Sequence, residues 1–258
     1  MINNITASFK KYWFVSVGLV TVLAGISLGL IFLPSAKGVQ NEARIVQEQD
    51  WRYTLQIVDG KIADVNIDFN FQSAADVEKY TNAMRRENLA LFNSGIQQVS
   101  AVSIVFNRTF TWAEADAFVK KYQLYAGGYD FRLVDKHDSN HRFAYGIGLV
   151  RDGKTGDGFG DNSQQRFDDY IASTYPDNGV FKGIIGLQVR LSSSEYKTVV
   201  ADPNVYLVDM PGVVVEAKIA KQDKPELKGL QKITDFYLPK NSPQLYRSLE
   251  DFGLVKTS

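Results

Sequence analysis

The sequence predicts an α+β protein with one transmembrane helix at its N-terminus. Three observations carry that prediction. Residues 12–33 form an uncharged apolar run of 22 residues. After it, strand-like and helix-like patterns alternate, separated by turn and capping residues. Composition is that of a folded chain: 258 residues, 45% hydrophobic, with 29 Lys and Arg against 29 Asp and Glu. Such a balance lacks the basic excess of a nucleic-acid binder, so no nucleic acid is expected as a partner. The chain contains no cysteine. That excludes disulfides, thiolate metal sites and a thiol nucleophile.

The apolar run reads YWFVSVGLVTVLAGISLGLIFL and ends at Pro34. About 20 apolar residues cross a hydrocarbon core as a helix. Tyr12 and Trp13 sit where an aromatic belt lies. Lys10 and Lys11 precede the run, and the next basic residue is Lys37. The positive-inside rule then places residues 1–11 in the cytoplasm and the body outside. A cleaved signal peptide is the rival reading. Its apolar core is shorter, about 7–15 residues, and a cut after Ala36 puts Pro34 at a position that wants a small residue. An uncleaved signal-anchor fits better, which makes the lipid bilayer a partner through residues 12–33. Gly25 and Gly29 form a GxxxG pair, with Gly18 and Thr21 near the same face. Small residues let membrane helices approach closely, although glycine is common in such helices anyway.

Residues 34–50 are polar and read as a linker. A hairpin-plus-helix unit is expected over 51–97. Its two strands, Trp51–Val58 and Ala63–Phe71, flank Asp59-Gly60, a strong hairpin signal. Ser73 caps the helix that follows, with Val77, Tyr80, Met84, Leu89 and Phe92 on its apolar face.

Next comes a strand at Val99–Phe106. Thr111 and Glu114 form a capping box for a helix reaching about Tyr122, with Ala113, Ala117, Phe118 and Tyr122 inward. Gly127-Gly128 break the chain before a strand at Tyr129–Val134. An insertion at 136–179 holds a strand from His141 to Val150, a glycine-rich loop and a helix from Ser163. The strand Val180–Leu191, a short helix from Ser192 with Glu195 in its first turn, and a last strand, Val205–Met210, complete the order. Strand, helix, strand, insertion, strand, helix, strand is the split βαβ order of a ferredoxin-like domain, expected over 98–211. Residues 212–258 read as a tail: a short apolar run, Val213–Val215, then a Lys-rich stretch, polar from Ala217 to Lys240, and a C-terminal helix. Pro243 sits in its first turn, and Leu245, Leu249 and Phe252 form one narrow stripe. That stripe docks either on its own domain or on a protein partner.

Two stretches carry a resemblance. VSIVFNRTFTWAEADAFVKKYQL and GIIGLQVRLSSSEYKTVVADPNVYLVDM are similar to subtilisin-propeptide-like inhibitor domains. The matching positions are Gly186, Leu191, Ser192, Asp202, Pro203, Val205 and Asp209. The resemblance covers about two-fifths of the chain and implies the ferredoxin-like fold. It also implies an alternative function, inhibition or folding of a subtilisin-like protease by laying the segment after the last strand in its cleft. Two departures are that no protease domain follows and that the insertion separates the halves.

Motifs for chemistry are sparse. His137 and His141 stand four apart in a polar turn with Asp135 and Asp138, and HExxH is absent. The loop DGKTGDGFGDN departs from the calcium-loop pattern at its third and sixth positions, which leaves Asp157 and Asp161 as weak candidate ligands. Gly156–Gly160 lacks the GK[ST] of a phosphate loop. Asp168-Asp169 and Glu114/Asp116 read as solvated helix faces, and Asn107-Arg108-Thr109 is a glycosylation sequon. Neither catalytic residue nor cofactor is expected. The reading is a single-pass, membrane-anchored extracytoplasmic binding or accessory protein supporting a membrane assembly. Replacing both Lys10 and Lys11 with Glu is expected to scramble orientation, because they are the main charge asymmetry across the run. Protease accessibility of the body in intact cells tests this, and unchanged accessibility counts against it.

Overall fold

A computed structural model of the chain describes residues 41–138, 142–148, 163–174, 179–230 and 242–256. The apolar run with Gly25 and Gly29, the loop with Asp157 and Asp161, and His141 lie outside these residues. Among the described residues no helix is long and apolar enough to cross a membrane. Asn41–Ser258 forms one unit. It is mixed α+β, with antiparallel sheets.

A three-stranded sheet opens it: β1 (Asn41–Gln47), β2 (Arg52–Val58) and β3 (Lys61–Ile67), in the order β1-β2-β3. Asp59 and Gly60 turn β2 into β3 at φ of 52° and 75°. Glycine adopts that conformation freely, and aspartate tolerates it. β1 corrects the linker expected at 34–50, since residues 41–47 pair with β2 along their whole length. Its apolar alternation is faint, because Val46 is its sole fully buried residue. Helix α1 (Ala74–Asn93) follows, with the Ser73 hydroxyl accepting from the Asp76 backbone N–H. It buries Val77, Tyr80, Met84, Asn88, Leu91 and Phe92, while Leu89, expected inward, is 47% exposed.

The second sheet has β4 (Gln98–Phe110), β5 (Tyr125–Asp135), β6 (Arg142–Gly148), β7 (Gly179–Ser192) and β8 (Val205–Asp209). Their order is β6-β5-β7-β4-β8, each neighbour pair antiparallel. Helix α2 (Trp112–Lys121) links β4 to β5, α3 (Ser163–Thr174) precedes β7, and α4 (Ser193–Val199) links β7 to β8. Both connecting helices start with a capping box, Thr111 with Glu114 and Ser192 with Glu195. Ala115, Phe118 and Val119 form the buried face of α2, whereas Ala113 and Ala117 are exposed. β5 runs through Gly127-Gly128 instead of starting after them. Its pairing with β7 absorbs the irregularity as a register shift between Ala126 and Gly128.

Both faces of this sheet are covered. Along β4, Val102, Ser103, Ile104, Val105 and Phe106 are each at most 9% exposed, though successive residues point to opposite faces. Phe106 meets Phe118 of α2 on one face. On β5, Tyr129 and Phe131 pack on Phe167 of α3 at ring distances of 5.8 and 4.9 Å. Arg132, between them and Leu133 in the alternation, points the other way. Its Nε donates to Glu250 Oε2 at 2.8 Å with both side chains at most 5% exposed. Gly186 on β7 is required by a close approach, since a Cβ there would lie 2.6 Å from the Ile104 carbonyl oxygen.

The described part of the expected tail contributes to the core, including residues 217–230, which the sequence suggests as a polar tether. Helix α5 (Pro211–Lys221) buries Val214, Val215 and Ile219, and Leu227 and Leu230 are buried beyond it. Helix α6 (Ser242–Asp251) contacts β4, β5, β6 and β7. Leu245, Tyr246 and Leu249 are fully buried, and Phe252 packs against the core. The stripe that the sequence offers to its own domain or to a partner therefore closes the chain's own core. Past α6, the Lys256 N–H donates to the Asn107 carbonyl at 3.2 Å. Leu249→Asp is expected to destabilise the unit by about 2–4 kcal/mol, through lost packing and a buried carboxylate. Thermal unfolding checks this, and an unchanged melting temperature contradicts it.

Candidate functional site: a polar cleft over Tyr80

A cleft of about 310 Å³ lies where the three-stranded sheet meets the first two turns of α1. The β1–β2 turn supplies Gln49, Asp50 and Trp51, and β2 supplies Arg52. The segment after β3 supplies Asp68, Asn70 and Phe71, and α1 supplies Asp76, Lys79 and Tyr80. The hairpin signal at Asp59-Gly60 brings β2 and β3 together, and the Ser73 cap starts α1 at the point that turns Tyr80 under them.

Aromatic packing fixes the floor. The Tyr80 ring meets Phe69 edge-on at 5.0 Å and Trp51 edge-on at 6.3 Å, with Phe71 at 5.8 Å. Such edge-to-face contacts suit the ring quadrupoles. The rim is charged and internally paired. Asp50 binds Arg86 at 2.8 Å, Asp68 lies 3.4 Å from Arg52, and Asp76 lies 3.7 Å from Lys79. Asp68 also accepts from Thr54 Oγ1 at 3.0 Å. Hydrogen bonds from Ser73 and the Gln72 N–H, with the Lys79 charge nearby, hold the Asp76 carboxyl below its ordinary range.

Below the floor the Tyr80 hydroxyl donates to Asp209 Oδ2 at 2.9 Å. Asp209 is 1% exposed at the end of β8, and its Oδ1 has no hydrogen-bond partner among the described residues. Burial pushes its carboxyl up to about 7, against the opposing pull of the Tyr80 hydroxyl and the Met210 N–H. Burial and the neighbouring Asp209 also hold the Tyr80 hydroxyl well above its usual value, so it stays protonated. Nearby, Asn88 Nδ2 donates to the Val208 carbonyl at 2.7 Å. Tyr80 stands between Asp209 and the cleft. The carboxyl therefore bears on stability and on how Tyr80 is held, and it does not meet a ligand directly.

A second charged cluster holds the sheet and helices together. Lys218 of α5 sits between Glu48 at 3.3 Å and Glu87 at 2.9 Å. Burial alone lowers an ammonium, but the two carboxylates outweigh it and hold Lys218 above its ordinary value. On the far side Asp202 takes hydrogen bonds from Lys121 and Tyr122 at 2.8 and 2.6 Å. Burial opposes them, yet with Asn204 they hold its carboxyl at about 2.

The residues singled out in the sequence fall elsewhere. Leu245, Leu249 and Phe252 belong to the core, and Gly25, Gly29, Asp157 and Asp161 lie outside the described residues. His137 is exposed in a turn, its backbone N–H donating to Asp135 at 2.7 Å. Among the described residues no group of three or more His, Asp or Glu is placed to hold a metal. Asn107 of the sequon donates its side-chain amide to the Pro203 carbonyl at 2.5 Å. The segment that a propeptide-like inhibitor would insert, Asp209–Pro211, is buried and runs directly into α5. The one sequence signal for Asp209 is an acid closing an apolar run. For the cleft, the signal is three carboxylates and two amides clustered around Trp51 and Phe71.

Stability should respond to Asp209. Unfolded aspartate ionises near pH 4. In the folded chain the raised value delays ionisation to about pH 7. Between those values the folded state binds more protons, so stability falls as pH rises and levels off above 7. A rise from about 4 to about 7 corresponds to at most about 4 kcal/mol. Asp209→Asn is expected to flatten that fall and to raise stability at pH 8. Urea midpoints at pH 5 and pH 8 check this, and equal falls in the two proteins contradict a neutral buried carboxyl. Compared with known proteins, the chain matches no family model, no characterised protein and no solved structure.

Proposed function

We propose that the chain is a single-pass membrane protein whose extracytoplasmic body binds a protein partner and supports a membrane assembly. The observation that carries this reading is the uncharged run at 12–33, preceded by Lys10 and Lys11. Seven residues of sequence, 34–40, separate that run from β1, too few for a long stalk. A body anchored in this way works on targets at the membrane. Net charge supports a protein partner over a polyanion, since 27 basic residues stand against 29 acidic ones after the run.

Within the body, the order β8-β4-β7-β5, with α2 and α4 as the two connections, supports a ferredoxin-like sandwich. β6 extends one edge of it. The three-stranded sheet with α1 and the helices α5 and α6 are additions that cover its second face. Ion pairs tie this arrangement together: Arg132 with Glu250, and Lys218 with Glu48 and Glu87.

Membrane fractionation with N-terminal sequencing and co-purification tests the reading. The expected result is an intact chain that resists alkaline extraction, is reached by external protease and brings a partner with it in mild detergent. A soluble protein beginning near Lys37 overturns the anchor. An intact anchored chain that purifies alone after cross-linking in the membrane overturns the accessory role.

A further inference from the structure

We propose that the cleft over Tyr80 binds a neutral, hydroxyl-rich ligand the size of a single sugar ring. This goes beyond partner binding and does not depend on it. The cleft volume of about 310 Å³ stands at the small end of ligand pockets, roughly 300–1,000 Å³. Its floor is aromatic. Trp51 is 7% exposed and lines the cleft. Tyr80 contributes only its ring, because its hydroxyl is engaged below by Asp209.

The rim selects against ions. Each of its three carboxylates already lies within 4 Å of its own cation, Asp50 with Arg86, Asp68 with Arg52 and Asp76 with Lys79. An incoming anion meets the carboxylates, and an incoming cation meets the bases. What the rim retains is hydrogen-bonding capacity. Carboxylate oxygens keep unused lone pairs, Arg52 and Lys79 keep donors, and the exposed amides of Gln49 and Asn70 offer both kinds of group. A hydroxyl donates and accepts at once, so a ring of hydroxyls suits a rim of alternating donors and acceptors. The C–H face of such a ring is apolar enough to lie against an aromatic floor. A purely apolar ligand leaves the rim unpaired, at a cost for each desolvated polar group.

The experiment uses the full chain in phosphatidylcholine nanodiscs, so that no sugar-headed detergent competes. The probes are glucose, galactose and N-acetylglucosamine, with glucose 6-phosphate and glucosamine as charged counterparts. The tetramer of N-acetylglucosamine separates a free sugar from the end of a glycan. Tryptophan fluorescence and calorimetry report binding. The expected result is saturable binding of at least one neutral sugar, with its charged counterparts weaker. The double variant Gln49→Ala/Asn70→Ala is expected to weaken binding about tenfold or more, about 1.4 kcal/mol, with an unchanged melting temperature. Trp51→Phe is expected to remove most of the fluorescence change. Tighter binding of the tetramer assigns a glycan, and equal binding assigns a free sugar. No saturable binding up to about 50 mM, beyond the millimolar end of ordinary affinities, overturns the proposal. So does preference for a charged counterpart, or undiminished binding in the double variant.

Discussion

Covering both faces of β4 is the constraint on which the rest of the structure depends. A strand whose successive residues are all buried needs a layer of structure on each side. Val102, Ile104 and Phe106 require one layer, and Ser103 and Val105 the other. The connections α2 and α4 are local and supply the first. The second comes from the two ends of the described chain, α1 before β4 and α5 and α6 after β8. Leu245, Tyr246 and Leu249 show the scale. At about 1.5–3 kcal/mol for each fully buried large side chain, α6 alone contributes an amount comparable to the net stability of a domain, about 5–15 kcal/mol. Residues that read as an appendage therefore complete the core.

Polar groups in that second layer are handled in two ways. Arg132 and Glu250 bind each other, with Arg132 Nη1 also donating to the Leu133 carbonyl. Removing one partner of such a pair strands a buried charge, which is why pairs of this kind tie elements together more firmly than their net energy implies. Asp209 has no cation beside it among the described residues. Burial raises its carboxyl to about 7, with Tyr80 as its side-chain partner. That contact also orients Tyr80, so the floor of the cleft is set by a carboxyl that the ligand never meets.

Local signals in the sequence located elements well where a turn or cap is specified by a few adjacent residues. The Asp59-Gly60 hairpin, the Ser73 cap and the Thr111–Glu114 box are such cases, because their chemistry is complete within four residues. Signals failed where packing between distant segments decides. β1 has a weak alternation and is a strand because β2 lies beside it. Leu89 fits the helical spacing loosely and faces solvent because the buried stripe passes through Asn88. Glu250 is not part of the apolar stripe of the last helix, and it is buried because Arg132 waits on β5, 118 residues away. The cleft was illegible for the same reason. Its residues come from four segments, and their charges look like ordinary surface until the pairings show each to be engaged.

If both sheets share one core through β4 and its helices, they lose structure together. Trp51 stands in the β1–β2 turn of the three-stranded sheet and Trp112 at the start of α2 beside the five-stranded one. Incorporating 5-fluorotryptophan gives each a fluorine resonance that reports its own surroundings without mutation. Urea unfolding followed by fluorine NMR is the direct measurement. One cooperative unit predicts that the native Trp51 and Trp112 signals disappear at a common urea concentration with equal slopes. Separate midpoints, with Trp112 native while Trp51 is unfolded, contradict it.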